Sequence, residues 1–242
     1  MPMSLSWDGS ACFEYTFHPM LTRVGLLGDI HCEAARLRRA LELFRTCSIE
    51  TILAVGDIAD GPGDLAETCA LLEGAGVLAV AGNHERWLLA GQMRELPDAT
   101  PLDCVTPRAR DYLATLPKTR SFESPRGPVL LCHGLGEDDM AAVKPDDYGY
   151  DLESNRALWE LVERRTARFV VNGHSHRVML RNISGLTILN AGTLQPKLRS
   201  VCCIADFDAG YLQIYELQAA RTSAAERWAF EQASRLSAAE SR

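Results

Sequence analysis

Apolar runs alternate with segments of helical periodicity along most of this chain. Five runs are short enough to be buried strands: VGLLGDIH, TILAVGDIAD, VLAVAGNHE, VLLCHG and FVVNGHSH. After the first run, EAARLRRALELFRTC carries Leu37, Ala40, Leu41 and Phe44 at the spacing of one helix face. Strands that alternate with helices in this way predict an α/β domain built in layers.

Capping residues predict where several helices begin. Asp64 precedes LAETCALLEGAG, and the pair Thr106-Pro107 opens another short helix. A third helix is expected over ERWLLAGQMREL, directly after the third apolar run. The segment 135–155 is long, polar and rich in Gly, Asp and Tyr, which predicts a loop that is either a functional lid or a plain surface connection. We expect Ser154, near its end, to cap a further helix.

The last third of the chain changes to a β pattern. RVMLRNI and TILN are separated by a turn at Ser184-Gly185, which predicts a hairpin. SVCCIADFDAGYLQIYEL predicts a second hairpin, with its turn at Asp208-Ala209-Gly210.

The two chain ends look different from the rest. Residues 221–240 have apolar side chains at helical spacing, which predicts a terminal amphipathic helix. Residues 1–20 fit no clear pattern, although FEYTF within them is typical of an edge strand. We therefore expect an N-terminal extension over 1–20, one domain over 21–220 and a C-terminal helical extension over 221–242.

The composition is that of an ordinary globular protein, with 242 residues of which 47% are hydrophobic and 24% charged. A net charge of −7 disfavours a nucleic-acid coat, which needs a basic surface, so we expect no stable nucleic-acid complex. No signal peptide and no membrane span is expected from the hydropathy pattern. Most of the eight cysteines lie beside apolar stretches and no C-x-x-C pair occurs, which predicts buried free thiols and a cytoplasmic location.

Each of the five apolar runs ends in a glycine and a carboxylate, amide or imidazole. Ligands of layered α/β sheets bind at the carboxyl ends of the strands, so these side chains are expected to meet along one rim. A shared metal site explains the repetition, because its ligands must converge from separate strands. The residues at these ends are Asp29, His31, Asp57, Asp60, Asn83, His84, His133, His174 and His176.

The spacing within the motifs fits metal binding. Asp29 and His31 are two residues apart, and alternate side chains of an extended segment project to the same side, so this pair can share one ion. His174 and His176 have the same spacing and can reach toward two ions. The two oxygens of Asp57 can bridge two cations. A mixed nitrogen and oxygen set suits manganese, iron, zinc, cobalt or nickel better than calcium or magnesium.

Taken together, the motifs resemble the calcineurin-like metallophosphoesterase superfamily. Its signature is D-x-H, G-D-x-x-D, G-N-H-[DE], a lone H and G-H-x-H, and every element occurs in order between Asp29 and His176. The resemblance implies a four-layer α/β/β/α sandwich of two mixed sheets flanked by helices. It also implies an enzyme that hydrolyses phosphoesters with a hydroxide activated by a dinuclear metal centre.

The resemblance also assigns a role to each motif residue. The implied ligands are Asp29, His31 and His176 for the first ion and Asn83, His133 and His174 for the second, with Asp57 bridging the two. His84 would protonate the leaving oxygen or stabilise the transition state, and Asp60 would hold its other ring nitrogen. The implied cofactors are two divalent or trivalent metal ions, with manganese first and iron, zinc, cobalt or nickel as alternatives.

Some of these residues also have a plain structural interpretation. His133 on its own could be a core histidine, and Asn83 could merely close a turn. Asp60 precedes Gly61-Pro62 and could be a solvated turn residue. Arg86, just after the GNHE motif, could touch substrate or face solvent, and we favour solvent. Thr193 could support the site from behind or belong to an ordinary β-turn.

The substrate is the least defined part of the prediction. The GDIH, GDxxD and GNHE forms resemble the branch with protein Ser/Thr phosphatases and dinucleoside tetraphosphate hydrolases. That branch usually has phosphate-binding arginines after GDxxD and before GNHE, where this chain has Gly61 and Ala81. We therefore expect a small phosphorylated molecule or nucleotide, as a monoester or a diester. The alternatives are a dinucleoside polyphosphate hydrolase, a protein Ser/Thr phosphatase and, from another class, a non-catalytic scaffold.

Overall fold

The structure is a computed structural model that describes residues 20–218 and 221–232. The described strands are β1 (Arg23–Leu27), β2 (Thr51–Ala54), β3 (Leu78–Ala79), β4 (Thr119–Phe122), β5 (Val129–Cys132), β6 (Phe169–Asn172), β7 (Met179–Ile183), β8 (Leu186–Asn190), β9 (Val201–Asp206), β10 (Tyr211–Leu217) and β11 (Thr222–Ala229). The described α-helices are α1 (Ala34–Thr46), α2 (Leu65–Gly74), α3 (Asn83–Ala90), α4 (Pro107–Thr115), α5 (Tyr150–Glu153) and α6 (Arg156–Arg164).

The strands form two mixed sheets. The first has the order β11-β10-β9-β1-β2-β3, and the second has the order β4-β5-β6-β8-β7. β1, β2 and β3 run parallel, as do β5, β6 and β8, whereas the remaining pairs are antiparallel. All of these parallel strands except β8 arise from the apolar runs that carry the polar motifs, so the motifs lie at the carboxyl ends of parallel strands.

The core is divided into three layers by the two sheets. Neighbouring residues of a strand face opposite sides, so Leu26 packs between the sheets while Leu27 packs against the outer helices of the first sheet. α1, α2 and α4 cover that outer face. On the other side of the molecule, Leu158 and Leu161 of α6 pack on the outer face of the second sheet. The predicted four-layer α/β/β/α architecture is confirmed.

Local capping chemistry explains several helix starts. The Asp64 side chain accepts a hydrogen bond from Glu67 N, and the Thr106 side chain accepts one from Ala109 N, as expected. The prediction for Ser154 is wrong by one residue. Asn155 is the residue whose side chain accepts from Leu158 N and so caps α6.

The predicted C-terminal helix is wrong for the part of it that the structure describes. Residues 222–229 form β11, which pairs antiparallel with β10 and extends the first sheet. Trp228 packs against the core between the sheets. The edge of β10 offers unpaired backbone groups, and pairing with them outweighs the helix propensity of an alanine-rich segment. Residues 1–19, including FEYTF, and residues 233–242 lie outside the described residues.

α3 ends earlier than predicted, whereas the loop predicted over 135–155 is confirmed. α3 begins at Asn83 and ends at Ala90, where Gly91 adopts a left-handed conformation, so the GQMREL segment is not helical. The segment 135–155 is mainly loop and contains only the short helix α5. Within residues 20–218 and 221–232, no helix has the length and hydropathy needed to cross a bilayer. The seven cysteines in the same residues are free thiols, as predicted.

Candidate metal centre

The motif side chains meet along one rim, where the parallel strands of both sheets end. Asp29 follows β1, Asp57 follows β2 and Asn83 follows β3 at the first turn of α3, all in the first sheet. The second sheet contributes His133 after β5 and the His174 segment after β6. The facing edges of two stacked sheets therefore bring together residues that are separated by more than a hundred positions in sequence.

One cluster of possible metal ligands consists of His31, Asp57 and His176, whose ligand atoms all lie within 4.8 Å of one another. His31 Nδ1 lies 2.7 Å from the carbonyl oxygen of Asp60. A carbonyl only accepts, so Nδ1 carries the proton of the neutral ring and Nε2 keeps a lone pair. That Nε2 lies 3.2 Å from Nε2 of His176 and 3.8 Å from Oδ2 of Asp57.

A second cluster consists of Asp57, His133 and His174, with ligand atoms again within 4.8 Å of one another. His133 Nδ1 lies 2.8 Å from the carbonyl oxygen of Val55, which directs Nε2 into the cluster. Oδ1 of Asn83 lies 2.9 Å from His133 Nε2 and 3.0 Å from His174 Nδ1. The amide oxygen of Asn83 therefore points at the same volume as the two imidazoles.

Asp57 is common to both clusters. Its Oδ2 lies 3.8 Å from His31 Nε2 on one side and 3.3 Å from His133 Nε2 on the other. Its Oδ1 accepts a hydrogen bond from the backbone N of His84 at 3.0 Å, in the first turn of α3. One oxygen is thus fixed by the helix, while the other lies between two sets of nitrogen ligands.

Asp29 lies beside both clusters and is fully buried. Its Oδ1 accepts from the backbone N of His174 at 3.0 Å, whereas Oδ2 has no hydrogen-bond partner and lies 3.8 Å from His176 Nε2. Burial raises the pKa of Asp29 to about 7. An orphaned buried carboxylate oxygen is costly unless a cation or proton offsets it. Thr193 supports Asp29 from behind, because its Oγ1 donates to the Asp29 carbonyl oxygen at 2.8 Å.

The backbone at the motifs is not extended, contrary to the spacing argument. Positive φ angles occur at His31 (47°), Asp57 (47°), Asp60 (61°), His174 (64°) and His176 (58°). Non-glycine residues seldom adopt this left-handed conformation, and it is concentrated where function demands a special geometry. Sharp turns rather than alternation along a strand direct these side chains inward.

Beside the first cluster, His84 is held by Asp60. His84 Nδ1 lies 2.8 Å from Asp60 Oδ2, and its Nε2 lies 3.9 Å from Asp57 Oδ2. Burial lowers the pKa of His84, but the hydrogen bond to Asp60 and the charge of Asp57 outweigh it, so the pKa is raised. The interpretation of Asp60 as a solvated turn residue is wrong, since Asp60 is buried. Its carboxylate also binds Arg94, a residue that the sequence analysis missed.

Glu85, the last residue of the GNHE motif, joins two motif loops. Its Oε1 accepts from the backbone N of Ile58 at 2.7 Å and of Ala59 at 2.9 Å, and its Oε2 accepts from Gly82 N at 2.7 Å. A side chain at Gly82 would overlap Asp57, so the glycine permits this close approach. The loop after β2 and the start of α3 are therefore locked together.

The Arg86 side chain is 43% exposed, in line with the solvent-facing position favoured above, and it is paired with an acidic residue. Its Nε and Nη2 donate to the two carboxylate oxygens of Asp139 at 2.7 and 2.8 Å, which ties α3 to the segment 135–155. Burial and the charge of His133 lower the pKa of His174, and the charges of Asp57 and Asp139 oppose this shift only in part. The 135–155 loop is thus attached to the helix whose first residue is the motif residue Asn83.

The electrostatics of the donor set fits a pair of cations. Burial lowers the pKa of His31, and burial together with His31 lowers that of His176 to about 4, so both rings are neutral and offer lone pairs. Burial also lowers the pKa of His133, but the charges of Asp57 and Asp29 outweigh it and raise the pKa to about 10. The negative charges of Asp57 and Asp29 therefore stabilise positive charge at this rim, which is what the binding of metal cations requires.

Solved structures with the same fold are known. The chain matches a hypothetical protein from Pyrococcus horikoshii OT3 with a TM-score of 0.68 and 15% identity, over 82% of this chain and 88% of that chain. It matches a metallophosphoesterase from Sphaerobacter thermophilus with a TM-score of 0.59 and 16% identity, over 81% and 88%. Yfce, a phosphoesterase from E. coli, gives 0.53 and 18%, over 86% and 99%. These likenesses show the fold.

Sequence comparison defines the family. No curated protein matches the chain significantly. The family model of the calcineurin-like phosphoesterase superfamily domain matches residues 22–210, which contain every motif residue described above. The resemblance of the five motifs is confirmed, and the chain belongs to the calcineurin-like phosphoesterase superfamily.

Proposed function

We propose that this phosphoesterase uses a dinuclear metal centre to hydrolyse a small phosphorylated molecule or nucleotide. The observation that carries the proposal is Asp57 Oδ2, which lies between two sets of imidazole nitrogens. A structural zinc site would use one closed set of ligands, commonly with cysteine, and no cysteine is a member of either cluster. Two open sets that share one carboxylate are typical of two-metal hydrolases.

Each motif residue has a place in the proposed centre. The first ion would be held by His31, His176 and Asp29, and the second by Asn83, His133 and His174, with Asp57 between them. Two such cations clamp a phosphoryl group and lower the pKa of a water molecule toward neutrality. Manganese is the first choice of metal, with iron, zinc, cobalt or nickel as alternatives, because the donors mix imidazole nitrogen with carboxylate and amide oxygen.

His84 is proposed to protonate the leaving oxygen. Its Nδ1 is bound to Asp60, so the free Nε2 is the nitrogen that faces the centre. The raised pKa of His84 favours the protonated ring, whose second proton is on Nε2. Asp57 and Asp60, the carboxylates on its two sides, stabilise the charged ring. A proton donor at this place matters most for poor leaving groups, such as alkoxides.

The surroundings of the centre support the proposed substrate class. At Gly61 a side chain would overlap the carbonyl oxygen of His31, so the chain has no room for an arginine there. Arg86, the nearest arginine after the motif, is occupied by Asp139. Binding would then depend mainly on the two cations, which suits a small phosphate ester better than a phosphoprotein that needs additional arginine contacts.

Metal analysis of the purified protein tests the centre. Two ions per chain are expected, and Asp57→Asn should lower the content of both because the bridging charge is lost. Asp103→Asn is the matched control, since Asp103 is an exposed carboxylate away from the motifs. A normal metal content in Asp57→Asn would refute the bridging role.

A substrate panel tests the reaction and the acid. Phosphate monoesters, phosphodiesters and dinucleoside polyphosphates should be compared with equal metal loading. His84→Asn should retain both metals and reduce turnover of alkyl esters by about 10²–10⁴-fold. Unchanged turnover of alkyl esters would rule out proton donation by His84, and the absence of metal-dependent hydrolysis in the whole panel would rule out the proposed function.

A further inference from the structure

The Asp60 carboxylate is held by four hydrogen bonds, and two of them come from Arg94, which lies outside every motif. Arg94 Nη1 lies 2.8 Å from Asp60 Oδ1, and Arg94 Nη2 lies 2.8 Å from Asp60 Oδ2. Thr100 N donates to Oδ1 at 2.9 Å, and His84 Nδ1 lies 2.8 Å from Oδ2. An ionised carboxylate has about four acceptor sites, so Asp60 cannot rotate without breaking a bond.

Arg94 is itself held firmly. Its Nε donates to the carbonyl oxygen of Gln92 at 2.7 Å, and Nη1 also donates to the carbonyl oxygen of Thr100 at 3.3 Å. Only 17% of its side chain is exposed. The guanidinium is therefore a rigid fork aimed at a buried carboxylate, which is the arrangement in which arginine gives both orientation and energy.

We infer that Arg94 is a positioning residue for the proton donor: it fixes the plane of the Asp60 carboxylate, and Asp60 in turn directs His84 Nε2 into the centre. The inference rests on the proposed role of His84. Arg94 touches no candidate metal ligand through its side-chain hydrogen bonds, so its effect on the reaction passes through Asp60.

The position next to Asp60 cannot supply this guanidinium. It is Gly61, where a side chain would overlap the carbonyl oxygen of His31. In this chain a guanidinium approaches Asp60 from the loop after α3, 34 residues further along. This guanidinium binds the Asp60 carboxylate, which in turn binds His84. Its effect is therefore expected on protonation of the leaving group.

The test compares leaving groups in Arg94 variants of the metal-loaded protein. p-Nitrophenyl phosphate has a good leaving group and phenyl phosphate a poor one, and the corresponding diesters are used if the wild type prefers diesters. Arg94→Ala should lower kcat for the phenyl ester about 10–100-fold, as is usual when a supporting partner is lost. For the p-nitrophenyl ester, which needs little protonation, the loss should stay below about threefold.

Added guanidinium chloride at low millimolar concentration should restore part of the lost phenyl-ester turnover in Arg94→Ala, while sodium chloride at equal ionic strength should not. Arg94→Lys retains the charge without the fork and should lose activity on the phenyl ester by an intermediate factor. It also serves as the test variant if Arg94→Ala does not fold. Arg108→Ala, which removes an exposed ion pair with Glu73, is the control and should behave as wild type.

The outcomes separate the inference from the function on which it rests. If Arg94 variants lose metal and lose both activities equally, the residue is merely structural and the inference is wrong. The inference is also wrong if His84→Asn lowers turnover of the phenyl ester more than that of the p-nitrophenyl ester and neither Arg94 variant does so. If the wild type hydrolyses no phosphoester, or His84→Asn affects both esters alike, the proposed function of the centre or of His84 has failed first.

Discussion

Replacing Glu85 by Gln tests how the motif loops are held, because one buried carboxylate joins two of them. Three backbone N–H groups, those of Ile58, Ala59 and Gly82, donate to Glu85 at 2.7–2.9 Å. The side chain is fully buried, so water cannot replace any of these bonds. Gln has nearly the same shape, which confines the perturbation to hydrogen bonding and charge.

The magnitude follows from the three bonds. The Gln oxygen can still accept from Ile58 and Ala59, but its NH₂ group then faces the N–H of Gly82. A buried donor left unsatisfied costs about 1–3 kcal/mol, and exchanging a charged acceptor for a neutral one weakens each remaining bond by about 1 kcal/mol. Removing a buried charge offsets part of this loss. The net decrease in the free energy of unfolding is about 2–3 kcal/mol.

Thermal unfolding followed by circular dichroism measures this effect, with EDTA in every sample so that metal binding does not contribute. For a chain of this size 1 kcal/mol corresponds to roughly 2–4 °C, so Glu85→Gln should lower Tm by about 5–10 °C. Glu73→Gln is the control, because Glu73 is half exposed and its ion pair with Arg108 lies at the surface. Equal Tm values for the two variants would refute the role of Glu85 as the link between the loops.

Three other outcomes are expected. Asn155→Ala should lower the free energy of unfolding by about 1 kcal/mol in a urea titration, whereas Ser154→Ala, which removes no cap, should change it by less than about 0.5 kcal/mol. Gly82→Ala should lower metal content by elemental analysis, because the added methyl group displaces Asp57. EDTA should abolish hydrolysis and Mn²⁺ should restore it; full activity of the metal-free protein would contradict the proposed mechanism.

Sequence periodicity predicted the parallel strands well, because their burial on both faces leaves continuous apolar runs. It did not predict β4, because three of the four residues in TRSF are polar and the segment owes its conformation to antiparallel pairing with β5. It misassigned residues 222–229 for a related reason. An edge strand is defined by the partner it joins, and that partner is not visible in local spacing.

The candidate site likewise contains some residues that local sequence patterns predict and others that they do not. The motif residues could be named from the sequence, because each one follows an apolar run directly. Arg94 could not, since it lies in a loop with no motif and its partner Asp60 is 34 positions earlier. The pairing of Arg86 with Asp139 was missed in the same way, as 53 positions separate the two residues. Such contacts arise from the packing of loops, for which the sequence carries no periodic signal.

The left-handed residues at the strand ends connect stability with chemistry. Each non-glycine residue in this conformation costs on the order of 1–3 kcal/mol and persists only when its surroundings hold it. Two sets of hydrogen bonds hold them here. Ile30 N and His31 N both donate to the Asp57 carbonyl oxygen, and Glu85 accepts from the backbone N of the two residues that follow Asp57. The same hydrogen bonds hold the left-handed residues and orient the metal ligands. Weakening them should therefore disorder the candidate metal centre at a lower temperature than the rest of the fold. Glu85→Gln should therefore lose metal affinity at temperatures well below its unfolding transition.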